Sequence, residues 1–118
     1  MGRRARSILV VSMDVASEME EEFNRWYDTE HIPLFMKVAG VLSAKRAVLS
    51  RDTLSGFELR RSGPRYITVY EYAGAAVMDQ RAYRDVIETE WSKRLQPYIT
   101  NFSLTLYELL LGYQTEYD

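Results

Sequence analysis

Cysteine is absent from this chain of 118 residues, and histidine occurs once, at position 31. The lack of cysteine excludes disulfides, thiolate metal sites and cysteine nucleophiles. A single histidine among scattered carboxylates makes no recognisable spacing of metal ligands. We therefore expect no metal and no cofactor, and a haem would be held only if His31 were its axial ligand.

Long apolar runs and a dominant charge are lacking as well. No run approaches the roughly twenty apolar residues that cross a bilayer. The 15 basic and 17 acidic side chains give a net charge of −2, which offers a nucleic-acid backbone no electrostatic footprint. We expect neither a membrane nor a nucleic acid as partner, and a cytoplasmic location.

The composition favours one compact domain. Hydrophobic residues make up 47% of the chain, enough for one core at this length but not for two. We expect a disordered leader at residues 1–6, a single domain at 7–112 and a C-terminal tail at 113–118.

Apolar periodicity predicts the order strand, helix, strand, strand, helix, strand. The predicted strands are Ser7–Asp14, Val41–Ser50, Arg65–Tyr72 and Asn101–Leu111. The predicted helices run from Ser17 to a break after His31, and from Gly74 to Leu95 with a division near Gln80. This order is typical of an α+β, ferredoxin-like βαββαβ fold, with a four-stranded antiparallel sheet, the first and third strands in its middle and two helices on one face.

Three local signals refine this prediction. Ser17 and Glu20 have the spacing of a capping box at the start of the first helix. Pro33 disfavours helical geometry at Ile32, so we expect the helix to break just after His31. Arg51–Pro64 is the longest predicted loop, and we interpret it as a mobile solvated loop or, alternatively, a lid.

The strands carry apolar or aromatic residues on both faces, whereas two helices cover only one. Tyr66, Tyr70 and Tyr72 could therefore face a partner subunit. Association of the uncovered sheet faces in a two-fold homodimer is the simplest cover.

His31 is the centre of the predicted site, because it is the one side chain whose ordinary pKa lies near neutrality. Tyr27 and Asp28 precede it by four and three residues, so all three lie on neighbouring parts of a helix surface. We name His31, Tyr27 and Asp28 as candidate catalytic residues, with Asp28 or Glu30 orienting the imidazole. The aromatic residues proposed to bind substrate are Phe23, Trp26, Tyr83 and Trp91. A structural histidine at the helix exit, with the aromatics as core, remains the alternative.

Two segments resemble the dimeric α+β barrel superfamily, and within it the EthD-like relatives that carry a first-helix Tyr-to-His motif. The first segment is the run from Phe23 to Pro33, followed by Val38-Ala39-Gly40-Val41. The second is Tyr83, then Thr89-Glu90-Trp91 and Arg94-Leu95-Gln96-Pro97.

The resemblance implies a homodimer whose sheets form a barrel, with a pocket between sheet and helices in each subunit. It carries over His31 and Tyr27 as site residues. Members of the superfamily include cofactor-independent monooxygenases, cyclases, isomerases and haem-degrading enzymes, and a fold alone does not choose among them. Two functions stay open: a cofactor-independent enzyme acting on a small hydrophobic or aromatic metabolite through His31 acid/base chemistry, and a non-catalytic ligand-binding or structural homodimer.

Overall fold

A computed structural model describes residues 5–60 and 62–113. Most of the predicted leader, Arg61 and nearly all of the predicted tail lie outside the described residues. No helix in the described part of the chain is long and apolar enough to cross a membrane.

Four strands form one antiparallel sheet. They are β1 (Ser7–Val15), β2 (Val41–Val48), β3 (Tyr66–Tyr72) and β4 (Ile99–Glu108). The strand order is β2-β3-β1-β4, with every neighbouring pair antiparallel. The predicted ferredoxin-like topology is therefore confirmed, with the first and third strands in the middle of the sheet.

The helices cover one face of the sheet, and that face holds the core. In β1, alternate residues from Ser7 to Met13 are buried, as the two-residue period of a strand requires. Leu9 pairs with Tyr70 across the β1–β3 ladder, and the tyrosines of β3 are buried at this same face. The suggestion that these tyrosines face a partner subunit is therefore wrong, because the helices of their own chain cover them.

The first helical region is built from four short pieces in series. A 3-10 turn at Ser17–Met19 leads into α1 (Glu20–Trp26), a π-helical turn at Tyr27–His31 and α2 (Ile32–Phe35). The predicted capping box is not formed, because neither Ala16 nor Met19, the residues that precede the 3-10 turn and α1, makes a side-chain cap.

Pro33 does not break this region after His31, so that prediction is wrong. Proline has no N–H to donate, but this is tolerated in the first turn of a helix, and Pro33 stands there in α2. The turn before it is widened, since the N–H of Ile32 bonds to the carbonyl of Tyr27, five residues back. Such π turns occur often at functional sites, and this one carries the predicted site residues.

The second helical region is divided twice. Its pieces are a 3-10 turn at Ala75–Asp79, α3 (Arg81–Val86), α4 (Glu90–Leu95) and a 3-10 turn at Gln96–Tyr98. The predicted division near Gln80 is confirmed by the extended backbone there, with ψ at 141°. A second break before α4 was not predicted. Thr89 caps that helix by accepting the N–H of Ser92 at 3.1 Å.

The two helical regions meet at Gly40, which precedes β2. Its φ is +90°, and a Cβ built on it would lie 2.5 Å from Cγ2 of Val77. Only glycine fits both that backbone angle and that contact. The close approach holds the second helical region against the end of the first.

Candidate functional site

The π turn and the helices that flank it place four aromatic rings on one buried face. Trp26, Tyr27, His31 and Phe35 are 4%, 2%, 8% and 4% exposed. His31 follows Tyr27 by four residues and Trp26 by five, and Phe35 follows His31 by four, so the widened turn brings all four rings to one side of the helical region. The predicted inward face of the first helix is thus observed.

This face forms one wall of a cavity of about 420 Å³ between the sheet and the helices. The volume falls within the usual range for small-molecule sites. The lining is dominated by apolar and aromatic side chains. Its members are Leu9, Val11, Met13, Trp26, Tyr27, His31, Phe35, Tyr70, Met78, Tyr83, Ile87, Ser92, Gln96, Ile99, Phe102 and Leu104.

His31 is held by rings rather than by hydrogen bonds. Its imidazole stacks on the indole of Trp26, with centroids 4.2 Å apart and planes inclined by 30°. Tyr27 and Phe35 meet it edge-on at 4.9 and 4.8 Å. Within the described part of the chain, its buried Nδ1 has no hydrogen-bond partner. A buried polar atom without a partner is uncommon and calls for an explanation.

Burial, aided by the positive charge of Arg46, lowers the pKa of His31 to about 3. Desolvation penalises the imidazolium form, and no carboxylate offsets it. At neutral pH the imidazole is therefore uncharged, with one nitrogen as donor and the other as acceptor.

Three tyrosines also line this cavity. Tyr70 is 1% exposed. Its hydroxyl lies beside the Tyr27 phenol, which helps to raise its pKa, but it makes no hydrogen bond of good geometry with a described residue. The Tyr83 hydroxyl is 2.7 Å from that of Tyr72, so one donates to the other. Burial raises the pKa of Tyr27, Tyr70 and Tyr83, and these phenols stay protonated near neutral pH.

Glu30 supports the site through Trp26. Its Oε2 accepts hydrogen bonds from the indole Nε1 of Trp26 at 3.1 Å and from Oγ1 of Thr89 at 2.8 Å. It thereby fixes the ring on which His31 stacks and ties it to the start of α4. The carboxylate positions Trp26 and does not bond to the imidazole directly.

Asp28 lies away from the cavity. Its Oδ1 pairs with Arg46 Nη1 at 2.8 Å, and its side chain is 62% exposed. Asp28 thus contacts Arg46, and this contact does not support the prediction that Asp28 orients the imidazole. An ion pair of this kind is compatible with the non-catalytic alternative.

Arg46 lies on the outer side of the aromatic cluster. Its guanidinium carbon is 4.4 Å from the Tyr27 ring centroid, and Nη2 bonds to Asn24 Oδ1 at 2.7 Å. A cation over an aromatic face is attracted by the ring. Arg46 was not predicted as a site residue. The available signal was that Lys45 and Arg46 interrupt the alternation of apolar and polar residues expected in this strand.

The predicted substrate-binding residues divide into two pairs. Trp26 and Tyr83 line the cavity. Phe23 is fully buried in the core, and Trp91 packs against that core from its margin, so neither belongs to the lining described above. Sequence reasoning missed Tyr70 and Phe35. Tyr70 sits on the covered face of β3, where its alternation with Tyr66 and Tyr72 was the available signal.

No family model and no curated protein matches the chain. Solved structures do match its fold. A dimeric ferredoxin-like protein from an uncultured marine organism superposes with a TM-score of 0.66 and 14% identity, over 96% of this chain and 95% of that one. A candidate antibiotic biosynthesis monooxygenase from Bordetella bronchiseptica gives 0.65 and 16%, over 92% and 100%.

A further similar structure is the heme degrader MhuD from Mycobacterium tuberculosis, solved with two hemes in its active site. Its TM-score is 0.62 at 15% identity, over 92% of this chain and 99% of that one. At such identities the likeness establishes the fold, and it confirms the ferredoxin-like architecture expected from the resemblance to the dimeric α+β barrel superfamily.

Proposed function

We propose that this protein is a homodimeric, cofactor-independent enzyme that binds a small hydrophobic or aromatic metabolite in the cavity at His31. One observation carries the proposal: the His31 imidazole, whose Nδ1 makes no hydrogen bond with a described residue, lies on the wall of a largely apolar cavity. A ligand that packs against this ring and hydrogen-bonds to its accessible edge would be held by one placed polar group in an apolar pocket.

Because the imidazole is uncharged at neutral pH, a proton transfer by His31 would begin with the ring as the base. Proton abstraction from a bound substrate would leave an anion beside the new imidazolium, and this pair of opposite charges raises the pKa of His31 inside the cavity. The imidazolium can then return the proton as an acid. The protonated hydroxyl of Tyr27 would donate a hydrogen bond to an oxygen that gains negative charge.

The lining also limits the charge of the ligand. No lysine, arginine or carboxylate is among the side chains that line the cavity in the described structure. Burial of an unpaired charge is strongly unfavourable. We therefore expect an uncharged molecule that carries a hydroxyl or carbonyl group.

Two observations support the homodimer. The similar marine protein is described as dimeric. On the sheet face opposite the helices, Ile67 is 36% exposed, and its neighbours Val10 and Val69 are only partly buried. A second copy would cover these apolar side chains, and a two-fold dimer is the commonest closed assembly. We place the protein in the cytoplasm, for which a chain without cysteine is suited.

Calorimetric titration with 2-naphthol and 2-naphthoate at pH 7 tests this function. The uncharged probe should bind the wild type, and the carboxylate should bind at least about tenfold more weakly, because it brings an unpaired charge. His31→Phe keeps a ring of similar shape in the aromatic cluster and should weaken 2-naphthol binding. Equal binding of 2-naphthol to the wild type and His31→Phe would contradict the role of His31.

The non-catalytic homodimer has a specific observation in its favour. A pKa of about 3 makes His31 a weak base in the empty cavity, and Asp28 is engaged by Arg46. Under this alternative the ligand is bound but unchanged. Incubation of a bound ligand with the wild type and with Tyr27→Phe, followed by mass spectrometry, separates the two functions: only an enzyme consumes the ligand faster in the wild type.

A further inference from the structure

The cavity at His31 is open along β4. Phe102 and Leu104 line it, yet they remain 57% and 51% exposed. Leu104 pairs with Val11, and Leu106 pairs with Leu9, so these β4 side chains lie on the face that the helices cover elsewhere. The helices cover β1 and β3 but leave the apolar side of β4 uncovered.

β4 is also an edge strand. It pairs with β1 on one side, and in the described structure its other side has no strand beside it. Its length is 10 residues. A long apolar edge with free backbone groups readily accepts a further strand, and proteins usually protect such an edge.

A segment that fits this edge follows directly on β4. The N–H of Leu109 still bonds to the carbonyl of Arg6 at 2.8 Å. Beyond it, Leu110, Leu111 and Tyr113 are 98%, 73% and 93% exposed. Residues 109–113 carry no charged side chain, so their composition suits an apolar opening.

The segment does not reach the opening in its own chain. Phe102 lies six residues before Glu108, a distance of about 20 Å along the strand. Residues 109–113 would have to reverse direction first, and the three residues left after a two-residue turn span about 10 Å.

We propose that residues 109–113 of a second copy pair with the free edge of β4 and close the cavity beside Phe102 and Leu104. Two β4 edges related by a two-fold axis perpendicular to the strands run antiparallel. The segment that leaves the end of one β4 therefore passes the cavity end of the other, and both openings are closed at once. The inference rests on the homodimer of the proposed function and makes each cavity incomplete without its partner.

Because the chain has no cysteine, disulfide trapping tests this arrangement without background. Leu111→Cys is combined in turn with Phe102→Cys, Leu104→Cys and Leu106→Cys, which sample the possible registers along one face. A disulfide forms only where the two Cα atoms lie within about 7 Å. At least one pair should give a covalent dimer on a non-reducing gel under mild oxidation.

Two pairs serve as controls. The first combines Leu111→Cys with Val48→Cys. Val48 is 52% exposed, much like the test residues of β4, but it lies on β2 at the opposite edge of the sheet. This variant should stay monomeric on the gel. Phe57→Cys with Phe102→Cys asks whether the 49–65 loop of the second copy covers the opening. Trapping of either control pair in place of the three test pairs would overturn the proposal.

A charge on the segment provides a second measurement. Leu111→Asp should raise the dimer dissociation constant at least about tenfold, because an unpaired carboxylate would be buried. Leu54→Asp places the same charge on a residue that is 56% exposed in the 49–65 loop and should leave dimerisation unchanged. Equal dissociation constants for the two variants would overturn the inference.

The outcomes separate this inference from the proposed function. If no test pair is trapped while light scattering shows a dimer and 2-naphthol still binds at His31, only the closure by residues 109–113 is wrong. If the untreated protein is a monomer, the closure and the homodimer are both wrong, and the His31 site is judged by titration alone.

Discussion

The imidazole of His31 lies on the indole of Trp26, with ring centroids 4.2 Å apart. Trp26 is fixed in turn by its hydrogen bond to Glu30. The histidine is thereby held in place by packing, and its ring lines the cavity. This relationship leads to the predictions below.

Stability should fall as the pH drops from 8 to 5. The pKa of His31 is about 3 in the folded protein, below the value of about 6.5 in the unfolded chain. Below pH 6.5 the unfolded state therefore binds a proton that the folded state does not bind. The free energy of unfolding should be about 2 kcal/mol lower at pH 5 than at pH 8. Urea unfolding at both pH values measures it.

His31→Phe is the control for this pH dependence. The variant should show little change between pH 8 and pH 5, because the pKa of Asp14 and that of Glu20 are lowered in the fold and these carboxylates titrate at lower pH. An equal loss in both proteins would show that another group is responsible.

Glu30→Ala should destabilise the protein by about 1–3 kcal/mol, since it leaves the Trp26 Nε1 donor unpaired. It should also move the ring-proton resonances of His31, because the indole beneath them is released. Asp28→Ala is the matched control on the same turn. It removes an ion pair in which Asp28 is 62% exposed and Arg46 only 16%, but Arg46 keeps its hydrogen bond to Asn24. The variant should leave the His31 resonances in place.

Tyr70→Phe and Tyr72→Phe should have opposite effects on stability. The Tyr70 hydroxyl lies beside the Tyr27 phenol but makes no hydrogen bond with a described residue, so its removal should be neutral or stabilising. It should change 2-naphthol binding little, because this hydroxyl is buried away from the cavity surface. The Tyr72 hydroxyl is paired with Tyr83, and its removal should cost about 1 kcal/mol. Thermal unfolding with and without 2-naphthol measures both. Equal losses of stability would show that Tyr70 is paired in solution.

Gly40→Ala should be more destabilising than Gly56→Ala. Both glycines have positive φ, +90° and +82°, and share a backbone penalty of about 1–2 kcal/mol. Only Gly40 would also bring a Cβ against Val77, whereas nothing lies within 4 Å of a Cβ at Gly56. Adding Val77→Ala should recover the steric part of the Gly40→Ala loss. If Val77→Ala restores no stability, the whole loss in Gly40→Ala comes from the backbone conformation.

The sheet was predictable because its strands are short, apolar and separated by clear turn residues. The inward face of the first helix was also visible, since Trp26 and Tyr27 recur with helical spacing. The strand order followed from the order of elements. These features depend on local pattern, which a single sequence contains.

The place of Arg46 could not be predicted, because it depends on a shift in register. Val41 pairs with Tyr72, but Ser43 already pairs with Glu71, which marks a bulge between them. Without this extra residue, Lys45 rather than Arg46 would face the helices. The sequence shows two neighbouring cations and does not indicate which one lies over Tyr27.

The helix at Pro33 was mispredicted for a related reason. Proline was expected to end the helix, but a widened turn before it lets the chain continue into α2. Whether a helix breaks or widens depends on what packs beside it. Here the buried stack of Trp26, His31 and Phe35 favours continuation.

The central claim is that a small uncharged molecule binds at the imidazole of His31, and the nitrogen NMR spectrum of that ring tests it most directly. With one histidine in the chain, its two nitrogen resonances need no further assignment to a residue. We predict a neutral ring at pH 7 and a clear shift of at least one ring nitrogen resonance on addition of 2-naphthol. If 2-naphthol binds while both resonances stay unchanged, the ligand lies elsewhere and the account is wrong.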